Sequence, residues 1–389
     1  MRLDGCRVLD LTRLLPGPYA TQLLCDAGAD VIKVEDTGQG DYARDIPPYS
    51  DRGVGALFDA VNRGKRSVAI DLKSEAGRET FYALVADCDV LIEGFRPGVA
   101  ERLGIDYDTL AEHDAELVYC SLTGFGRTGP DAQRVGHDLN YVGRAGLLDT
   151  TRNGEREPPR IPGYPIADMA GGLFAAFSIL GALLSRELGN TDGEHVDVSM
   201  TDVVLSFSQP VSSGIVAGED THGGESSLTG GLPWYDVYET ADERYVTLAA
   251  LEPKFWKAFC ETIGREDLIE IHGSDDPDVQ AALREELTAI FAGRSRAEWE
   301  EELRDVPAMV GPVNTPREAL SDPQIEAREV VSHPAEAPPR VGFPARSTEE
   351  PAAGEESIPD RGEQTESVLH EHGFEESEID DLRASGAIE

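Results

Sequence analysis

Residues 7–35, RVLDLTRLLPGPYATQLLCDAGADVIKVE, decide the fold. RVLDL (7–11) is a short apolar run of strand length, PGPYATQLLCDAG (16–28) has Pro at its helical start and Gly at its stop, and DVIKVE (30–35) is a second apolar strand. Two such strands joined through a helix by short turns form a βαβ unit with parallel strands. The alternation continues outward: RSVAIDL (66–72) is a strand, SEAGRETFYALVAD (74–87) a helix, DVLIEG (89–94) a strand, and LVYCSLTGFG (117–126) another after a further helical stretch. The expected class is therefore α/β, with a large doubly wound, mostly parallel sheet whose ligands gather at the strand C-terminal ends. The first turn, TRLLPGPYA, lacks GxGxxG, so Glu35 and Asp36 do not make a nicotinamide ribose site and a dehydrogenase is rejected.

The pattern changes further on. HVDVSM (195–200) reads as a last strand, TDVVLSFSQPVSSGIVAG (201–218) as one helix, and THGGESSLTGGLP (221–233) as a Gly/Ser-rich loop. WYDVYET and YVTLAAL (234–240 and 245–251) then form a hairpin-like pair, followed by helices near 254–264, 278–292 and 295–305. We expect a first part of the large domain over 1–200, a linking helix and loop over 201–224, a smaller α+β domain over 225–315, and a return to the large domain over 316–389. Within that return, residues 332–359 read as an extended connection and 363–384 as closing helices.

Composition bounds the function. With 389 residues and 40% hydrophobic content the chain can fill two cores. Its 74 Asp and Glu against 34 Lys and Arg give a formal net charge of -40, and only Lys33, Lys65, Lys73, Lys254 and Lys257 supply lysine. A chain with no basic face is not a nucleic-acid binder. Such self-repulsion destabilises a compact state in dilute buffer and is screened at about 1 M salt, where the Debye length is about 3 Å, so the reading is halophilic. Five scattered cysteines without CxxC or nearby His pairs predict neither a disulfide framework nor a structural metal. The first residues lead straight into a strand with no signal peptide, and the apolar run after Asp168 fits a buried helix better than a membrane span, which leads to the expectation of a cytoplasmic protein without a membrane partner.

Three acid–base residues sit where strands, loops and helices meet. Asp168 stands at or near the N-cap of DMAGGLFAAFSILGALLSRE (168–187). An aspartate there either caps the helix or does chemistry. Gly171 and Gly172 bare the first turn, so its N–H groups are expected to be open to a ligand and able to hold a developing oxyanion. His137, in GHDLNY (136–141), is a general base matched to neutral pH or a hydrogen-bonded structural residue. Glu252, between YVTLAAL and Pro253, sits at a strand-to-helix junction, where an acid also suits a helix N-terminus.

Taken together, LPGPYATQLLCDAGADVIKVE, NRGKRSVAIDLKS, VLIEGFRPGVAERLGI, GFGRTGP, GHDLNY, the Asp168 helix, GGLPWYDVYETAD and ALEPKFW resemble the family III CoA-transferases, the class that includes formyl-CoA transferase, carnitine CoA-transferase and α-methylacyl-CoA racemase. The resemblance implies a large Rossmann-like domain assembled from both chain ends, a small domain between them, and an interlocked homodimer. It implies no permanently bound cofactor, with a coenzyme A thioester as substrate. Asp168 then corresponds to the nucleophile of the transferases and to one arm of the acid–base pair of the racemases, with His137 as the other arm and Glu252 supporting it. Because this chain has both racemase additions, the resemblance favours a racemase acting on the α-carbon of a 2-methylacyl-CoA, with CoA transfer through a covalent Asp168 intermediate as the alternative and a non-catalytic acyl-CoA-binding protein as a minor one. Two departures stand out: residues 36–61 are transferase-like in length, and Asp36 occupies the place of a racemase arginine that meets the CoA phosphates. The implied CoA contacts are therefore Arg63, Lys65, Arg66, Lys73 and Arg96, with Ile70, Asp71, Leu72 and Lys73 and the run Gly136, His137, Asp138, Leu139, Asn140 and Tyr141 lining the CoA-thioester cleft.

Overall fold

The computed structural model describes residues 2–154, 156–218, 226–333, 339–349 and 357–389. The βαβ reading of residues 7–35 holds: β1 (Arg7–Asp10) and β2 (Asp30–Glu35) are parallel neighbours with Leu9 opposite Ile32, connected through α1 (Pro16–Asp26). With β3 (Arg66–Ala69), β4 (Val90–Glu93), β5 (Val118–Thr123) and β6 (Glu194–Ser199) they form one six-stranded, wholly parallel sheet in the order β3-β2-β1-β4-β5-β6. The central strands are buried on both faces, which is why they are continuous apolar runs rather than alternating ones. α2 (Glu75–Val85), started by a Ser74 hydroxyl that accepts from the Gly77 N–H, packs Phe81, Leu84 and Val85 into this core. The chain order reverses between β1 and β4, and loops leaving the C-terminal ends of these two strands diverge to open a crevice.

Three further helices complete the wall of that crevice: α3 (Asp138–Arg144), the 22-residue α4 (Ile166–Glu187), and α5 (Met200–Ser206). α4 packs on α1 and α5. It is the one helix among the described residues long and apolar enough to cross a membrane, yet Ala167, Ala170, Ala175, Ala176, Ile179 and Ala182 are buried in the protein. The single helix expected over 201–218 is two, ending at Ser206 and restarting at Gln209–Val216. Pro210 in the new first turn explains the restart, since it lacks an N–H to continue the earlier helix.

The chain divides into two compact units, residues 1–145, 163–207 and 328–389 in one and residues 146–162 and 208–327 in the other. The expected linking segment 201–224 is thus divided at Phe207, and its last residues, with the start of the Gly/Ser-rich loop, lie outside the described residues. In the second unit β7 (Tyr235–Glu239), β8 (Tyr245–Ala249) and β9 (Val310–Pro312) make an antiparallel sheet. Against it α6 (Pro253–Thr262), α7 (Pro277–Phe291) and α8 (Arg296–Leu303) enclose Trp256, Phe259, Phe291 and Trp299, and both indole N–H groups are satisfied by the carbonyls of Leu268 and Phe291. In the first unit the closing helices α9 (Thr365–Glu371) and α10 (Glu376–Ser385) return to the edge strand β3, where Gln364 and Thr365 bond Ser67 and Ala69 and Ile388 bridges to Ile70.

Candidate active site

The turn after β1 is built on buried charge. Asp10 is wholly buried and accepts the N–H and hydroxyl of Thr12 and the hydroxyl of Thr21. Burial alone would push its carboxyl up, but Lys33 and Lys65 hold it below the usual carboxylate range. Lys33, equally buried, ion-pairs with Asp41 at 3.0 Å and donates to the Thr12 carbonyl at 2.9 Å. Asp41 in turn receives the N–H of Leu14, a residue with φ 65, in the left-handed region that a branched side chain rarely visits. Residues 12–14 are therefore held from beneath by several charged bonds, and the strained Leu14 marks a loop whose shape is imposed.

A second set of bonds positions Asp168. It is the third residue of α4, after Ile166 and Ala167, and Pro165 stands at the cap position. The capping role belongs to Asp138, at the start of α3: one of its oxygens accepts the N–H of Ala167 at 2.6 Å and of Asp168 at 3.1 Å. This overturns the expectation that the first N–H groups of α4 wait for an oxyanion. Gly171 and Gly172 also serve packing rather than ligand access, because a Cβ on Gly171 would stand 2.5 Å from Met200 Cγ and one on Gly172 2.4 Å from the Pro16 carbonyl oxygen. With its N–H bonded and its carboxyl partly buried, Asp168 is pushed up to about 7, first by burial and then by the charge of Asp138.

His137 precedes α3 and gives its backbone N–H to the Asn140 side chain at 3.0 Å. Tyr141, one turn into α3, donates its hydroxyl to the Gly136 carbonyl at 2.6 Å and packs edge-on against Phe125 at 5.1 Å. The ring lies so close to Gly124 that a Cβ there would be 2.2 Å from it, so neither Gly124 nor Gly136 has room for a side chain. Burial pushes the Tyr141 hydroxyl up to about 12. Behind the cavity-lining residues 94–97, Glu93 ends β4, accepts the Phe95 N–H at 2.6 Å and is pushed up to about 7 by burial. It steadies residues 94–97 beside the crevice.

These pieces enclose one cavity of about 650 Å³ at the C-terminal ends of β1, β4 and β5, lined by residues 11–14, 94–97, 122–125 and 134–137 together with Asn140, Tyr141, Asp168 and Met200. The size suits a small-molecule site. His137 and Asp168 face the same cavity, as do Arg96, Gly136, Asn140 and Tyr141. Glu252 stands immediately before α6 in the second compact unit.

Several other sequence-assigned positions have different work. Arg63 pairs with Asp26 at 2.7 Å, and Arg66 bridges Asp30 and Glu371. Lys65 is buried among Asp10, the Pro18 carbonyl, Thr21 and Asn62, and burial lowers its proton affinity. All three cations neutralise the protein's own carboxylates or satisfy its own acceptors, so they do not line the cavity as expected. Ile70 is buried at the sheet edge, Asp71 is bonded through its backbone to Ala387, and Leu72 packs on the core, while Lys73 is exposed. Leu139 is exposed on α3 without lining the cavity. Two cations missed from the sequence, Arg13 and Arg134, do line it. The available signal for Arg13 was its place in the first turn after β1, where a doubly wound sheet collects ligands. Among the described residues, the acid–imidazole group able to hold a metal is the exposed trio Glu366, His370 and Glu376, none of which lines the cavity.

A CoA-transferase family III sequence profile matches residues 3–365. This chain belongs to that family. A family member, the succinyl-CoA:mesaconate CoA-transferase of Haloarcula marismortui, is 37% identical over 347 residues, 85% of each protein. The α-methylacyl-CoA racemase of Mus musculus is 32% identical over 100% of this chain and 98% of the relative. In three dimensions the chain is similar to a CAIB/BAIF family protein from Brucella suis, with a TM-score of 0.81 and 32% identity over 95% of this chain and 98% of that one. The relatives include both CoA-transferases and α-methylacyl-CoA racemases, and this chain is accordingly an enzyme of the family.

Proposed function

We propose that this family III member inverts the α-carbon of a 2-methylacyl-CoA by 1,1-proton transfer between His137 and Asp168. One residue takes the α-proton, leaving an enolate thioester, and the other returns a proton to the opposite face, so no group beyond the proton is exchanged. The observation that carries this reading is Asp168 itself: its carboxyl faces the same cavity as His137 and its proton affinity is raised to about 7. An N-cap aspartate with a depressed pKa would be a poor acid; Asp168, relieved of capping by Asp138, is matched to giving and taking protons near neutrality. The family resemblance assigns Glu252 a supporting part in the same chemistry. Arg96, Gly136, Asn140 and Tyr141 from the cavity wall, with Lys73 by the family resemblance, are assigned to the CoA thioester. The exposed face of α4 carries Leu173, Phe177 and Leu184, continued by Leu188 just past its end, each at least half exposed, and this apolar stripe supports assembly as a homodimer. The acidic composition supports a high-salt setting.

Transfer of CoA between carboxylic acids is the second reading, favoured by the transferase names among the relatives and by Asp36 in place of the racemase arginine. There Asp168 attacks the thioester carbonyl and CoA leaves as thiolate; the thiolate then attacks the Asp168 carbonyl of the anhydride and frees the donor acid, the acceptor carboxylate displaces CoA from the Asp168 thioester to form a second anhydride, and the thiolate attacks its acyl carbonyl to give the new CoA ester and free Asp168. The two readings part in deuterated buffer containing 2-methylacyl-CoA and no acceptor acid. Racemisation gives deuterium at the α-carbon that His137→Ala and Asp168→Asn both abolish. No incorporation with any 2-methylacyl-CoA, together with a hydroxylamine-trapped Asp168 adduct and a largely active His137→Ala variant, rejects the racemase.

A further inference from the structure

The cavity's cationic surplus is unlike the rest of this molecule. In a chain of net charge -40, its lining includes Arg13, Arg96 and Arg134, while Asp168 is its one carboxylate among the described residues. Arg13 is held in a particular way. Its Nη2 donates to one oxygen of Asp36 at 2.8 Å, and the other oxygen of Asp36 is fixed by the N–H groups of Gly38 and Gln39. The backbone on either side is pinned from beneath, at Thr12 by Lys33 and at Leu14 by Asp41. No other acceptor for the remaining Arg13 N–H donors occurs among the described residues. The same turn leads into Pro16, whose carbonyl packs against the α4 backbone at Gly172, one helical turn beyond Asp168.

We propose that Arg13 is an anion-recognising residue of this cavity: its guanidinium, steadied by Asp36, takes an oxyanion of the substrate, carried either as a second carboxylate on the acyl chain or as a phosphate of coenzyme A. A fork already aimed by one carboxylate loses less freedom on meeting a second, and its planar donors match carboxylate and phosphate alike. Proximity of the turn to the Asp168 helix fits the acyl-chain carboxylate, which makes the substrate an acid-bearing acyl thioester. The assignment rests on the acyl-CoA reading given above.

Three thioesters separate the possibilities: succinyl-CoA carries both kinds of anion, butyryl-CoA only the phosphates, and butyryl-pantetheine neither. Their dissociation constants are measured by calorimetry with the full-length wild type, Arg13→Gln, Arg13→Lys and Asp36→Asn. Loss of a charged hydrogen bond weakens binding about 10- to 100-fold. Such a loss in Arg13→Gln confined to succinyl-CoA, partly rescued by Arg13→Lys, assigns the acyl carboxylate; an equal loss for both CoA esters with butyryl-pantetheine unaffected assigns the phosphate. Wild-type affinity of Arg13→Gln for every thioester, or an equal loss for all three shared by Asp36→Asn, overturns the proposal, since Arg13 would then serve only its own ion pair. Failure of the wild type to bind any of them rejects the acyl-CoA reading instead.

Discussion

Asp168→Asn is expected to inactivate the protein and to stabilise it. The ordinary aspartate value of 3.8 is raised to about 7 in the folded chain, by burial first and by Asp138 second. Above that pH, folding must carry a partly desolvated charge that the unfolded chain leaves in water. A difference of about 3 pH units corresponds to about 4 kcal/mol at 1.36 kcal/mol per unit. Solvent reaching the carboxyl reduces this to about 2 kcal/mol. Because the folded value lies above the unfolded one, the contribution to stability is full below pH 3.8 and is lost as the pH rises through 7. The asparagine has the same shape and does not titrate. Urea denaturation at fixed molar KCl from pH 4 to 8.5 should therefore show the variant gaining on the wild type as pH rises, reaching about 2 kcal/mol at pH 8, with the two converging toward pH 4. A variant less stable than the wild type at pH 8, or a difference that does not change with pH, refutes the reasoning. In that case Asp168 is not desolvated, and the physical basis for its role in proton transfer goes with it.

Gly172→Ala places a methyl 2.4 Å from the Pro16 carbonyl oxygen and 3.0 Å from Tyr19, so α1 and α4 must separate; a cost of about 1–3 kcal/mol should lower the urea midpoint, and an unchanged midpoint contradicts the packing role. Arg96→Gln should raise KM for CoA thioesters, whereas Arg66→Gln, which breaks the bridge between Asp30 and Glu371, should chiefly lower the thermal midpoint; a larger KM effect in Arg66→Gln reverses the assignment. Raising KCl from dilute to molar should raise the thermal midpoint, because the self-repulsion of a -40 chain is screened over about 3 Å at 1 M; equal midpoints remove the halophilic reading.

The sheet was legible because its signal is local: each apolar run is bounded by its own Gly or Pro, and the sequence alone places the ligand end at the strand C-termini. Much of the site depends on contacts that cross the chain. Asp138 sits beside His137 in sequence, yet its carboxylate acts 29 residues away on the N-terminus of α4, and this contact makes Asp168 a group that titrates near neutrality instead of a cap. Gly171 and Gly172 were visible as missing side chains, but a missing Cβ reads the same whether a ligand or a neighbouring backbone fills the space. The basic motif at 63–66 was equally visible, whereas its partners, Asp26, Asp10, Asp30 and Glu371, are brought to it only by sheet order and by the returning C-terminal helices. The same accounting isolates the cations that matter for binding. In a chain with more than two acids for every base, most arginines are already paired, so an arginine on the cavity wall with donors to spare is where an anionic substrate can compete. That condition selects Arg13, Arg96 and Arg134, and it could be evaluated only after the fold had used up the other cations.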